Sequence, residues 1–333
     1  MAVFFDYFAR PATLVFGKSK RFKTSIGFVF TLIFFAAVSL AFFYSFIRML
    51  QRKSPTSNQV DLFVYEPPLM NVQDQLFAFA ITFRDQKLGS LVADYHFKIK
   101  AYNEEWVYFV NENTGQKDMN LKSTPMNIRK CQLSDYENHL DSLARGQDLI
   151  DISMFFCIPR DQDKELFNIK GRIGSVGYQY IRVEFEPCDE VGCAPEAMMK
   201  AVLATANIIF AYEDSYIDIN DYDNPLKPAQ GGVYDHMNYD YWREKFIELV
   251  PIEVRTDFAF IGKNERVHRG FTYQISGTMF DLPVIKSRYT FFIRLSNQKK
   301  IITREYAKFQ DVLAETTDVA CSHCHFDSTL FKN

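Results

Sequence analysis

The sequence predicts a mainly β protein: an antiparallel β-sandwich with a few helices, preceded by a single N-terminal transmembrane helix. Three observations carry that prediction. One stretch of 24 residues holds no charge, and much of the chain beyond it alternates with a period of two. The 333 residues also include 33 Phe and 18 Tyr but only 14 Gly. That composition suits packed sheets and membrane surfaces better than flexible tails.

The uncharged stretch is "TSIGFVFTLIFFAAVSLAFFYSFI", residues 24–47. A helix needs about 20 residues to cross the hydrocarbon core. A cleaved signal peptide would have a shorter apolar region and small residues at its cleavage site. Here the segment ends aromatic and bulky, so a retained span is predicted. Arg10, Lys18, Lys20, Arg21 and Lys23 precede it, and Arg48, Arg52 and Lys53 come after it. The excess places the N-terminus on the cytoplasmic or mitochondrial matrix side and the main domain on the opposite side. Residues 1–23 read as a basic interfacial segment with Phe4, Phe5, Tyr7 and Phe8 as lipid anchors. A targeting presequence fits poorly, because Asp6 is acidic and Arg10 is the one basic residue in the first 17.

Residues 48–70 read as a linker, polar through "QRKSPTSNQV" and extended through "VYEPPLM". The β domain is expected over 71–316. In "LFAFAITF" (76–83), Phe77, Phe79, Ile81 and Phe83 share a face. "YHFKIKAY" (95–102) alternates likewise, and "LIDISMFFCIP" (149–159) is a further strand. In "YQYIRVEFEPC" (178–188), Tyr180, Arg182 and Glu184 oppose Ile181, Val183 and Phe185. A helix is predicted over 194–206 with Pro195 in its first turn. "NPLKPAQGG" (224–232) reads as a loop, and 239–249 as a helix or an aromatic connection. Strands are expected at 250–262, 270–281 and 287–296, with "LSNQKK" as a hairpin turn into "KIITREYA". "EYAKFQDVLAE" reads as a helix. Residues 317–333 form a Cys/His-containing tail.

The net charge of -3 leaves no basic field for nucleic acid. No nucleophile elbow, P-loop, dinucleotide fingerprint or HExxH motif is present, and no small-molecule substrate is implied. "GRIGSVG" and "QGGV" lack the strand–helix context that binds phosphate and read as turns. The acidic run with Glu213, Asp214, Asp218, Asp221 and Asp223 lacks EF-hand spacing and its central Gly, so a solvated acidic loop is preferred over a calcium site. The chain is expected to be non-catalytic and to bind no cofactor.

All six cysteines lie beyond the span, as disulfides in an oxidising compartment would. Cys188 and Cys193 bracket a tight loop, and Cys131 and Cys157 flank a predicted helix, "LSDYENHLDSLARG". Both pairs are expected to be bridged, with buried free thiols as the alternative. Cys321, Cys324 and His325 make a C-x-x-C-H pattern. A haem would need a pocket and a second axial ligand, for which His236 and His268 are the nearest candidates in sequence. Zinc would need a fourth ligand beyond Cys321, Cys324 and His323 or His325. A local disulfide or two inert thiols is the simpler expectation. The region beyond the span holds sixteen Asn and no Asn-x-Ser/Thr acceptor, which points away from a glycosylating lumen and toward the mitochondrial intermembrane space.

Several segments together resemble a large family of ciliate transmembrane proteins. They are "FDYFARPATLVFGKSKRFKTSIG", "YEPPLM", "FCIP…IKGRIG…YIRVEFEPC…CAPEAM", "DYDNPLKP" and "TREYAKFQDVLAE". The outline is also similar to cargo receptors that cycle between endoplasmic reticulum and Golgi. Both groups place a second span after the segment matching "KFQDVLAE"; this sequence reads "TTDVACSHCHFDSTLFKN" there, so one span is expected. The resemblance supplies no catalytic residues. The function expected is that of a single-pass accessory subunit of a membrane complex, held in the lipid bilayer and packed against other subunits. A respiratory-chain complex of the mitochondrial inner membrane of a ciliate is the favoured case, and a secretory-pathway cargo-binding or surface protein the rival.

Overall fold

A computed structural model describes residues 11–16, 19–21, 25–52, 55–83, 96–110, 117–132, 134–135, 155–172, 175, 177–236, 242–281 and 289–318. Strands β1 (Pro11–Phe16) and β2 (Ser19–Arg21) pair antiparallel ahead of helix α1 (Ser25–Gln51). The most apolar window of α1 has a mean hydropathy of 2.5, and the helix is long and apolar enough to cross a membrane. Ile26, Phe30, Leu40 and Tyr44 are each more than half exposed, so α1 is not a core helix of the β domain.

The domain then runs β3 (Thr56–Phe63), β4 (Met70–Asn71), β5 (Phe77–Phe83), β6 (Phe97–Val110), β7 (Lys117–Met126), β8 (Arg129–Lys130), β9 (Phe156–Cys157), β10 (Asn168–Ile169) and β11 (Tyr178–Pro187). It continues through α2 (Glu196–Leu203), β12 (Ala206–Ile217), β13 (Leu226–His236), β14 (Trp242–Asp257), β15 (Glu265–Asp281), β16 (Tyr289–Leu295) and β17 (Gln298–Glu305). A last helix, α3, covers 309–318.

Two sheets face each other. The five-stranded sheet has the order β13-β12-β5-β9-β8, and β14 organises the eight-stranded one. One edge of β14 pairs with β15 along its whole length; the other pairs in parallel with β16 (through 243–249) and then β17 (through 252–257). Beyond β16 come β11, β6 and β7, and beyond β17 lies β3. Phe79 of the smaller sheet meets Phe185 and Phe291 of the larger, with ring centroids 6.1 and 5.6 Å apart, and Phe210 meets Phe291 at 5.6 Å. All four rings are fully buried. Burying a Phe side chain stabilises by roughly 1.5–3 kcal/mol, so these four rings are a substantial part of the contact between the sheets.

The predicted sandwich and its inward alternation are both present, with five differences. Residues 56–63, read as linker, form β3 and pair with β17. Residues 242–249, read as a helix or an aromatic connection, join the strand expected from 250, because β14 gains ladder bonds on both edges. Residues 226–232, read as loop, lie in strand β13; Gly231 there leaves room for the Tyr212 ring, which a Cβ would strike. The chain does not reverse at 296–297, because β16 and β17 run on in one direction along β14. Pro195 is the N-cap of α2 rather than a first-turn residue. Of the strand expected over 149–159, Phe156–Cys157 is observed. The helix expected between Cys131 and Cys157 lies largely outside the described residues.

Candidate functional site

The outer face of the larger sheet carries an aromatic stripe that crosses four strands. Antiparallel register puts Trp106 opposite Tyr178 and Glu104 opposite Tyr180. Phe292 stands opposite Arg182, and Phe246 opposite Phe292. Alternation then points all of these away from the core. Phe246 stacks on Phe292 at 5.1 Å, Phe292 meets Tyr180 at 5.7 Å, and Tyr180 meets Tyr178 at 4.9 Å. With Tyr108 and Met119 the rings line a groove of 350 Å³. The β6–β7 hairpin extends the apolar surface through Met119, Leu121 and Val110, which are 48, 39 and 58% exposed.

Hydrogen bonds fix the ring positions. The Trp106 indole N–H donates to the Tyr180 hydroxyl at 3.3 Å, and that hydroxyl donates to Glu104 Oε2 at 2.6 Å. Arg182 closes the chain on Glu104 at 2.7 Å and also pairs with Glu184. On the far side Arg294 lies 4.8 Å from the centroid of Phe246 and pairs with Glu248 at 2.8 Å. Burial pushes the Tyr178 phenol up to about 12, against the pull of Arg294. Burial and the bond to Glu104 raise Tyr180 as well. Phenols held so high offer hydrogen bonds and apolar area, not a base. Rigid aromatics with Arg at the rim are what anchors a protein interface.

A second cleft, of 610 Å³, opens between the segment 67–75 and β14, β15 and β17. Glu253 in its wall is already paired. Lys299 and Arg255 both hold Glu253, at 2.6 and 2.7 Å, and the Lys299 bond keeps this carboxyl below its usual range. Its lining holds one aromatic ring, Phe271, against six in the aromatic groove, which is therefore the more apolar concave surface.

The acidic run expected as a solvated loop wraps a cation supplied by the chain itself. Arg304 is fully buried on β17. Its guanidinium donates to the carbonyls of Ile219 and Asp221 at 2.9 and 2.6 Å and to Thr256 Oγ1 at 2.9 Å. Asp221 itself pairs with Lys227. Among the described residues no group of His, Cys, Asp and Glu is arranged to hold a metal ion. Cys131–Cys157 and Cys188–Cys193 are disulfides. Cys321, Cys324 and His325 lie outside the described residues, while His236 ends β13 and His268 sits on β15.

Sequence reasoning found the outward-facing Tyr180, Arg182 and Glu184 but not the stripe. Its signal was in "FFIRL", where Phe291 and Phe292 must point to opposite faces.

The model of one family, described as the uncharacterised 80 kDa protein N-terminal domain, matches residues 78–311. The chain belongs to this family. The match covers both sheets of the sandwich from β5 onward and leaves α1 outside it. No curated protein matches the sequence. Among solved structures, a proton-activated chloride channel is 8% identical, covering 88% of this chain and 90% of that chain with a TM-score of 0.30. Erv41p is 10% identical, covering 74% of this chain and 99% of that chain with a TM-score of 0.25.

Proposed function

We propose that the protein is a membrane-anchored, non-catalytic accessory subunit that docks a partner subunit on the outer aromatic face of its β domain. One observation carries the reading: the stripe from Trp106 to Phe246 is apolar, rigidly hydrogen-bonded and rimmed by Arg–Glu pairs on a domain attached to an apolar helix. The partner is a protein with apolar side chains at its contact centre and polar groups at its margin.

The compartment we favour is the mitochondrial inner membrane, in a ciliate-type respiratory complex with the domain on the intermembrane side. Two disulfides and sixteen Asn without one glycosylation acceptor support it. The same anchor and disulfides also fit a cargo-binding protein of the secretory pathway. Cell fractionation followed by native purification separates the two. The lead reading expects co-migration with cytochrome oxidase activity and stoichiometric co-purifying subunits, which Trp106→Ala weakens. Sedimentation with microsomes as a lone monomer would overturn it.

A further inference from the structure

The end of α1 meets the β domain through an irregular junction. Arg52, just past the helix, has φ 49°, in the left-handed region that a Gly would ordinarily fill. Its guanidinium lies 4.4 Å from the ring centroid of Tyr222 and 4.5 Å from that of Phe260. Met49 is buried, and Ser45 Oγ donates to Glu315 Oε2 on α3 at 2.7 Å. So α3 lies beside the last turns of α1, and Phe260 lies at the helix exit.

The depth of that exit is set by length. The 27 residues of α1 span about 40 Å, against a hydrocarbon core of about 30 Å. Arg48 in the last turn and Arg52 just beyond it mark the end that leaves the core for the headgroup layer. Phe260 belongs to the tip of the β14–β15 hairpin, residues 258–264. At this tip Phe260 is 41% and Ile261 79% exposed.

The tip is built to hold its shape. Buried Asp257 accepts from the Ala259 and Asn264 N–H groups at 3.1 and 3.0 Å. Lys308 bridges Asp257 and the Gly262 carbonyl at 2.7 and 2.8 Å, and the Phe309 N–H donates to the Phe260 carbonyl at 3.0 Å. Its charges are matched: Lys263 pairs with Glu265 and Arg266 with Asp223. What the tip offers is apolar.

We propose that this hairpin tip is a membrane-seating site: Phe260 and Ile261 enter the interfacial layer of the bilayer beside α1, so that the domain stands on the membrane at two points. The ligand is the apolar boundary beneath lipid headgroups, not an anionic headgroup. The inference rests on α1 spanning the bilayer and is independent of what docks on the aromatic groove.

Full-length Ile261→Trp, reconstituted in phosphatidylcholine vesicles, tests it against the unmodified chain. The substitution is at an exposed position, and the circular dichroism of the variant checks its fold. The difference spectrum should show a blue-shifted indole emission that is lost when the lipids carry bromine near the headgroup. Adding phosphatidylserine should leave that loss unchanged. Water-like emission without bromine quenching would overturn the proposal. Blue-shifted emission without bromine quenching would assign the tip to a protein contact instead. Quenching seen only with phosphatidylserine would overturn its apolar basis.

Discussion

The two faces of the eight-stranded sheet carry the same residue class to different ends. Inside, Phe185 and Phe291 meet Phe79 and Phe210, with no polar handle among the four rings. Outside, Tyr178, Tyr180 and Trp106 each present one, bonded to a neighbour, and Phe246 lies under Arg294. The inner face gains stability by excluding water and nothing in it specifies a partner. The outer face uses hydrogen bonds and ion pairs to hold buried Tyr178 and Tyr180 still beneath the half-buried rings of Trp106, Phe246 and Phe292. Order is therefore built into the outer face before anything binds, which lowers the entropy cost of docking.

The sharpest way to break that contrast is a pair of adjacent substitutions. Phe291→Ala should cost about 3–5 kcal/mol in urea denaturation, as large cavities do. Phe292→Ala, one residue on and facing out, should cost less than about 1.5 kcal/mol. Equal losses would make the outer face a second core. Next in size is the Cys131–Cys157 bridge, which closes a separation of 26 residues. Replacing both with Ser should remove about 3.5 kcal/mol by loop entropy, against about 2 for Cys188 and Cys193 with a separation of 5. Matching losses for the two bridges would show that loop length does not govern them.

For docking the ranking inverts. Trp106→Ala should weaken partner capture by about 2 kcal/mol, roughly thirtyfold, with little change in the urea midpoint. Loss of binding only in proportion to loss of fold would remove the groove from consideration.

The smallest effect lies where the two sheets are pinned together. Asp235 on β13 accepts from Lys245 at 2.9 Å and Tyr289 at 2.8 Å and pairs with Arg243. Burial alone would raise this carboxyl, but its partners outweigh burial and hold it below the usual range. An Asp depressed in the fold contributes stability above its unfolded value, near 4, and loses that contribution as pH falls through the lower folded value. Urea midpoints should thus fall more steeply below about pH 4 in the unmodified chain than in Asp235→Asn. Parallel curves would mean that the pairing adds nothing.

Much of the fold was legible because its signals are local. The apolar run became α1, the Phe77–Phe79–Ile81 alternation became an inward face, and cysteine spacing gave both bridges. What was missed depends on distant strands. "WREKFIEL" alternates as readily as it turns helical, and partners on both edges of β14 decide it. "KPAQGG" carries loop residues, yet pairing with β12 extends it, and Gly231 fits under Tyr212. The aromatic stripe was hidden for the same reason. Trp106, Tyr180, Phe246 and Phe292 are scattered in sequence, and register alone aligns them.

The short passage from α1 into β3 has a mechanical meaning. β3 enters the sheet at Thr56, paired with Glu305, and runs antiparallel to β17 as far as Phe63 paired with Gln298. With α1 held in a bilayer, tension between bilayer and domain would pull on the strand from one end, along its own axis. All the ladder bonds between Thr56 and Phe63 resist that pull together, in shear, rather than opening one at a time like a zip. The exposed edge strand that joins the domain to its anchor is oriented to transmit strain into β17 and β14 without peeling away.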